Sequence, residues 1–263
     1  MDAILARSAV LLGLCCFCFA GVGCTREAKS AAQRQMTVEA VDALQESLEV
    51  PGYFLEEDAK RTGEEFDPNQ YFTILSHLSM EPGYVLDYVY NYDFMGGFPV
   101  LYARPADQPR YPSLSAYAEA VGADPLAAEA RASFLDHVRV DGTAEGFFQY
   151  VVFLTQAGQF YLHWHANYND AVIVCDPAGL ERLLSSFNAF DLALPEEVKE
   201  GARELQPEPV VKFTGDTVQV QILTFSKWGG FSRESYTVSR SFPHKILDSK
   251  VDVLVPYDCG VLF

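Results

Sequence analysis

Positive charge is what this chain has least of. Its 263 residues carry 19 Lys+Arg against 36 Asp+Glu, a formal charge of −17. Binding of a phosphate backbone needs a concentrated basic surface that displaces counterions, so nucleic acid is excluded as a partner. A Ca²⁺-loop spacing, a phosphate-cradling glycine motif, an HExxH zinc motif and a serine nucleophile elbow are all missing. So are low-complexity tracts and any repeat period, which removes solenoids and arrays. Disorder is excluded too: 49% hydrophobic and 21% charged residues is the balance of a folded protein.

The first two dozen residues stand apart from that folded body. A short n-region ends at Arg7, and Ser8 to Gly23 carries no charge. This is the tripartite form of a secretory signal peptide (residues 1–23), too short and wrongly flanked for a membrane span. The segment Gly21-Val22-Gly23-Cys24 resembles the lipobox of bacterial lipoproteins, with Gly21 standing where that family usually has an aliphatic residue. The resemblance implies that Cys24 is diacylglyceryl-modified on sulfur, becomes the new N-terminus and receives a further palmitate-type chain. It also implies a cell-envelope location, at the outer membrane or cell surface, since Thr25 rather than Asp follows the cysteine. Each buried methylene contributes about 0.8 kcal/mol, so two or three acyl chains hold a protein on a bilayer effectively permanently. The alternative is a plain secreted protein with Cys24 unmodified.

Residues 24–36 read as a lipidated flexible tether. The segment is polar and Ala-rich, with Arg26, Lys29 and Arg34 against Glu27 up to Gln35. Residues 37–263 read as a single globular domain, with a possible subdivision at Gln206-Pro207-Glu208-Pro209. An acidic globule would be repelled by an anionic bilayer, so the domain is expected near the membrane and not lying on it.

Within that domain, Val38, Val41, Leu44 and Leu48 predict a helix that starts at Thr37 and ends before Pro51. Asp67-Pro68 opens a second helix ending at Pro82-Gly83. Tyr84 to Tyr92 alternates aromatic and polar residues as a strand, turning at Phe94–Phe98 into a return strand to Arg104. Helices are expected from Ser113 to Val121 and from Asp124-Pro125 to about Val138. Phe147 to Leu154 (FFQYVVFL) is apolar on nearly both faces and reads as a central strand. A hairpin follows, Gln159–Asn167 with Ala171–Cys175, then a helix from Asp176-Pro177 and a polar helix after Pro195. Strands at 210–213, 217–226, 231–240 and 245–255 complete the chain. Helices alternating with hairpins predict an α+β fold, with a mainly antiparallel sheet and helices packed on it.

Chemistry-bearing residues are few. His163 and His165 share one strand face and offer two metal ligands, with a third to come from Asp170 or another carboxylate; bonding to neighbours or water explains them equally. Cys175 precedes a helix N-terminus, where the dipole favours thiolate. It faces His163 if the connecting loop has three residues and faces away if it has two. Cys175 and Cys259 can instead form a disulfide, as an exported protein allows, or remain inert thiols. The turns holding Phe94, Phe98, Trp228 and Phe231 place apolar residues beside paired glycines, where they fold back on the sheet or form a contact patch. The tyrosines at 84, 88, 90 and 92 line a groove or simply the inner face of a sheet. No cofactor is expected. The chain therefore reads as a lipid-anchored envelope protein, a non-catalytic binding or assembly-support module for a protein or small-ligand partner. The alternative is a Cys–His or metal-assisted hydrolase built from His163, His165 and Cys175.

Overall fold

The computed structural model describes residues 20–164, 170–189 and 192–260. In chain order the elements are α1 (Ala20–Glu46), α2 (Tyr71–Ile74), β1 (Leu78–Met80), β2 (Tyr84–Tyr92), β3 (Gly96–Pro105), α3 (Leu114–Val121), α4 (Ala128–Ala132), β4 (Val138–Val140), α5 (Ala144–Gln156), β5 (His163–Trp164), β6 (Val172–Val174), α6 (Pro177–Ser186), β7 (Asn188–Ala189), β8 (Leu192–Ala193), α7 (Glu196–Arg203), β9 (Val210–Thr214), β10 (Thr217–Ser226), β11 (Gly230–Ser239) and β12 (Ile246–Val255). The fold is α+β, and all strand pairings among the described residues are antiparallel. In the largest sheet β12, β11 and β10 run side by side, and β9 and β6 divide the other edge of β10 between them. A second sheet is β2–β3–β5, and β1–β4 and β7–β8 are isolated pairs.

The centre of the molecule is α5, and here the expectation of a strand at 147–154 is overturned. Thr143 caps the helix, its hydroxyl accepting from the Gly146 N–H at 3.0 Å. Every residue from Gly146 to Phe153 is buried. A helix enclosed on all sides has no polar stripe, so its sequence reads like a doubly covered strand. The main core gathers Val38 and Val41 of α1, Leu86, Tyr88 and Tyr90 of β2, the α5 aromatics and Val218, Val220 and Val238 of the large sheet. It therefore draws residues from both sides of the 206–209 stretch.

A second correction concerns the N-terminal segment. Residues 24–36, read as a flexible tether, lie in α1, which runs from Ala20 to Glu46, and Ala31 is the first of its described side chains to be buried. Ala31, Gln35, Thr37, Val38 and Val41 are buried. Thr37 is not a cap; its hydroxyl donates to the Gln33 carbonyl inside the helix. The Arg34 guanidinium pairs with Glu145 at 2.9 Å, donates to the Pro209 carbonyl at 3.1 Å and lies 5.1 Å from the Phe148 ring centroid. Gln35 accepts from the Cys175 N–H at 2.8 Å, and a Cβ on Gly179 would sit 2.5 Å from its Oε1, so a side chain at 179 would displace the Gln35 amide from this bond. Near the other end Gln45 donates to the Gln156 carbonyl at 2.6 Å. Because Arg34 meets the start of α5 and Gln45 its end, the two helices are parallel neighbours.

The β2–β3 hairpin forms as its alternation predicts, with Tyr84 opposite Pro105 and Tyr92 opposite Gly97. Its second face is not the wet one expected. Val89, Val100, Tyr102 and Tyr117 make a satellite core under α3, and Asp87 and Asn91 are buried. Asp87 is tolerated there because Arg61 donates to one carboxylate oxygen and Arg104 to the other, the latter at 2.8 Å. The helix expected from Asp67-Pro68 shrinks to a 3₁₀ turn and the four residues of α2, after which Leu78–Met80 is strand. The 124–138 helix divides into α4 and a 3₁₀ turn, Ser133–His137. Helices α3, α6 and α7 and strands β9 to β12 fall where the pattern puts them.

Since Val41 is fully buried in the main core, Val41→Ala lowers the unfolding free energy by about 2 kcal/mol. Urea titration measures this, and a midpoint unchanged from the parent would mean that α1 is not a core element.

Candidate functional site

The structure separates the residues that the Cys–His alternative needs. His163 lies on β5, which pairs with Gly96 and Gly97 of β3, whereas β6, which leads into Cys175, pairs with β10. Among the described residues, 159–164 and 171–175 are therefore not paired with each other as a hairpin. Cys175 is fully buried in the main core, and burial pushes its thiol far above the usual range, opposite to the helix-dipole expectation. The His163 ring is 6.0 Å from that of Tyr92. His165 lies outside the described residues. Among the described residues no three His, Cys, Asp or Glu side chains converge as a metal site.

The disulfide is also corrected. Cys175 and Cys259 are both free and buried. Val174 pairs with Leu223, which puts Cys175 beside the middle of β10, while the Cys259 N–H donates to the Lys227 carbonyl past its end. Four to five residues of strand separate the two levels, roughly 15 Å, and a disulfide needs Cα atoms within about 7 Å.

The two glycine turns differ. Phe231 is wholly buried in the second core with Phe225 and Leu223, and Phe98 packs against the satellite core beneath Arg131. Both are removed as contact residues. Trp228 is half-buried against Lys227. Phe94 stays 69% exposed, and its neighbours Met95 and Trp164 are exposed as well. Trp164 joins them because it pairs with Gly96. Of the tyrosine row, Tyr88 and Tyr90 are inside the core and Tyr84 stacks on His137 at 4.0 Å. Tyr92, with an edge of Tyr90, lines a shallow concavity shared with Leu114 and Leu126.

Another concavity, with a volume of about 330 Å³, lies between the last turns of α1, the end of α5 and the start of β6. Asp42 and Glu46 of α1 line it, with Asp170 opposite and Gln45, Gln159 and Tyr161 around them. No Lys or Arg is among its described lining residues. Asp170 is fixed by the Ser226 hydroxyl at 2.7 Å and the Lys227 N–H at 3.0 Å. Tyr161 adopts φ +51°, a left-handed conformation costing an L residue about 1 kcal/mol. It is held from both ends: its carbonyl accepts from the Tyr90 hydroxyl at 2.7 Å, and its own hydroxyl accepts from the Phe66 N–H at 3.1 Å. The wall of the cleft is thus locked to the aromatic core, where Phe54 stacks on Tyr90 at 4.3 Å. Burial, then the neighbouring Glu46 and Glu39 charges, raise the Asp42 carboxyl to about 6.

The carboxylates and amides, set among Leu48, Val50, Leu162 and Val172 and with no nucleophile among the described lining residues, suit recognition of a ligand rich in hydrogen-bond donors or bearing positive charge. Asp42 is not marked by the apolar periodicity of its helix, which reports only the buried face. Glu39, Asp42 and Glu46 recur at helical spacing beside that face, and this acidic stripe was the available signal. Comparison of the chain with protein-family models, curated proteins and solved structures finds no match.

Two outcomes follow from this geometry. In the folded protein a thiol reagent labels neither Cys175 nor Cys259, and both react after unfolding without reductant; labelling that requires reductant would restore the disulfide. A carboxyl at about 6 in the folded state against 3.8 unfolded binds more protons when folded, so its contribution falls as pH rises from about 4 to about 6. Asp42→Asn therefore adds roughly 1–2 kcal/mol at about pH 7 and little at about pH 4, read from thermal unfolding at both.

Proposed function

We propose that this chain is a lipid-anchored protein of the bacterial cell envelope, acylated on Cys24, whose globular part is a non-catalytic binding module. One observation carries the reading: Cys24 and the cleft residues Asp42 and Glu46 belong to the same helix, at its opposite ends. Eighteen residues of helix separate Cys24 from Asp42, about 27 Å along the axis. An anchor at the first turn of α1 leaves the cleft on the far side of the body, facing away from the bilayer. The exposed group Phe94, Met95 and Trp164 stands on that far side too, because Tyr161, beyond the end of α5, bonds to β2, and His163 pairs with the hairpin that carries Phe94.

An exported protein that presents a donor-seeking, acidic cleft at a fixed height above a membrane is suited to capture a cationic or amide-rich ligand, such as a peptide segment of a partner. The separation of Cys175 from His163 and the absence of a nucleophile among the cleft's described lining favour binding over hydrolysis. Cys24→Ala, followed by membrane fractionation, tests the anchor: the variant is expected in the soluble fraction and the parent in the membrane fraction. A variant that still sediments with membranes at high salt would overturn the proposal.

A further inference from the structure

The end of the molecule from which α1 emerges differs from the rest in charge. Arg34 meets Glu145 at the start of α5, and Ala31 is the first buried residue of α1, so the stretch of α1 before Ala31 extends beyond that end. Two loops of the large sheet lie at the same level. Phe213 of β9 is 5.8 Å from Phe147, and the His244 ring between β11 and β12 is 5.5 Å from it. The His244 carbonyl accepts from the Tyr150 hydroxyl at 2.8 Å, and the Arg240 N–H donates to the Asp216 carbonyl at 2.8 Å, tying the β9–β10 turn to the β11–β12 loop.

On this end cations alternate with aromatic rings. Arg240 lies 5.3 Å from the Phe213 centroid and Arg139 lies 4.6 Å from that of Phe242. Arg139, Lys212, Phe213 and Arg240 are exposed, and none of the three cations is in an ion pair among the described residues. Acidic groups are here as well, but Asp136 is paired with Lys245 and Glu145 with Arg34. Residues 25–34, 136–145, 208–217 and 239–247 together hold seven Lys/Arg against six Asp/Glu; the remainder of the chain holds twelve against thirty. A strongly acidic protein therefore has one end that an anionic surface does not repel.

We infer that this end is a docking surface for anionic phospholipid, seated on the membrane by the same helix that carries the anchor. The inference rests on acylation of Cys24. Seven residues separate Cys24 from Ala31, which is already packed on the body, so the body begins within about 10 Å of the acylated residue. The level of Arg34 is ten residues, about 15 Å, from Cys24 along the helix, so a tilt of α1 toward the bilayer brings Lys212, Arg240 and Arg139 within a screening length of the lipid headgroups. Exposed Phe213 and half-buried Phe242 supply the apolar contact that interfacial binding uses. The domain then stands upright, its acidic cleft directed outward.

The experiment uses the native lipidated protein in vesicles of phosphatidylcholine alone, or of equal parts phosphatidylcholine and phosphatidylglycerol. Ser241→Cys in the β11–β12 loop carries an environment-sensitive nitrobenzoxadiazole label, and Met95→Cys carries the same label at the far end. The label at 241 is expected to brighten and resist dithionite in phosphatidylglycerol vesicles, to lose both properties at high salt, and to stay dim in phosphatidylcholine alone. The label at 95 stays dim throughout. Because each cation beside an anionic leaflet favours association about fivefold, Lys212→Glu with Arg240→Glu reduces the docked fraction by about twentyfold or more. An unchanged label at 95 and an unchanged circular dichroism spectrum show that this variant is folded. Equal dim signals at 241 in both vesicle types would overturn docking while leaving the anchor standing. Failure of the native protein to co-sediment with either vesicle would instead overturn the anchor.

Discussion

The seating of α1 in the core is the constraint on which the rest of the structure depends. Its side chains bridge to α5 near one end through Arg34 on Glu145 and near the other through Gln45 on the Gln156 carbonyl, with Val38 and Val41 in the common core between them. The large sheet packs on α5, α6 approaches α1 at Gly179, and the β2–β3 hairpin closes over the aromatic core. The ion pair at Arg34 is only slightly exposed, where losing one partner leaves a charge poorly compensated. Fixing α1 in this way fixes the distance between its first turn and the cleft at its last.

That constraint changes what an N-terminal anchor would do. A flexible tether allows a domain to tumble above the bilayer, and the charge of the body then decides how far it stays away. A rigid helix that enters the core would limit that freedom, so the fold would set which end of the body faces a membrane held at the start of α1. The distribution of charge agrees with this: the cleft is acidic, and the end where α1 leaves the body is close to neutral with exposed arginines and a lysine. Tyr161, held in a left-handed conformation by bonds at both ends, stiffens the cleft itself.

Much of the fold was legible in the sequence wherever a single face was buried. The β2–β3 hairpin, the four C-terminal strands and the caps at Ser113 and Asp176 follow from alternation and turn chemistry. What failed was burial on all sides. FFQYVVFL has no polar stripe because α5 is enclosed by both α1 and the sheet, and without a stripe helix and strand are indistinguishable by period. The segment 24–36 failed for the opposite reason: its alanines and glutamines look like a solvated linker, yet Ala31 is small enough to pack and Gln35 caps the Cys175 backbone. The hairpin linking His163 to Cys175 failed because a two-residue strand pairs wherever a free edge lies nearby, and that edge belonged to β3. Of the cleft, only Asp170 was noticed, since convergence of α1 with the start of β6 is a long-range fact that no local pattern encodes.

Amide hydrogen exchange on the protein tests the central claim most directly. If α1 is a core element, the amides of residues 31–46 exchange only on global unfolding, as slowly as those at the centre of α5. Exchange of that segment on the timescale of a solvated linker, while α5 remains protected, would contradict it and release the cleft from any fixed relation to the membrane.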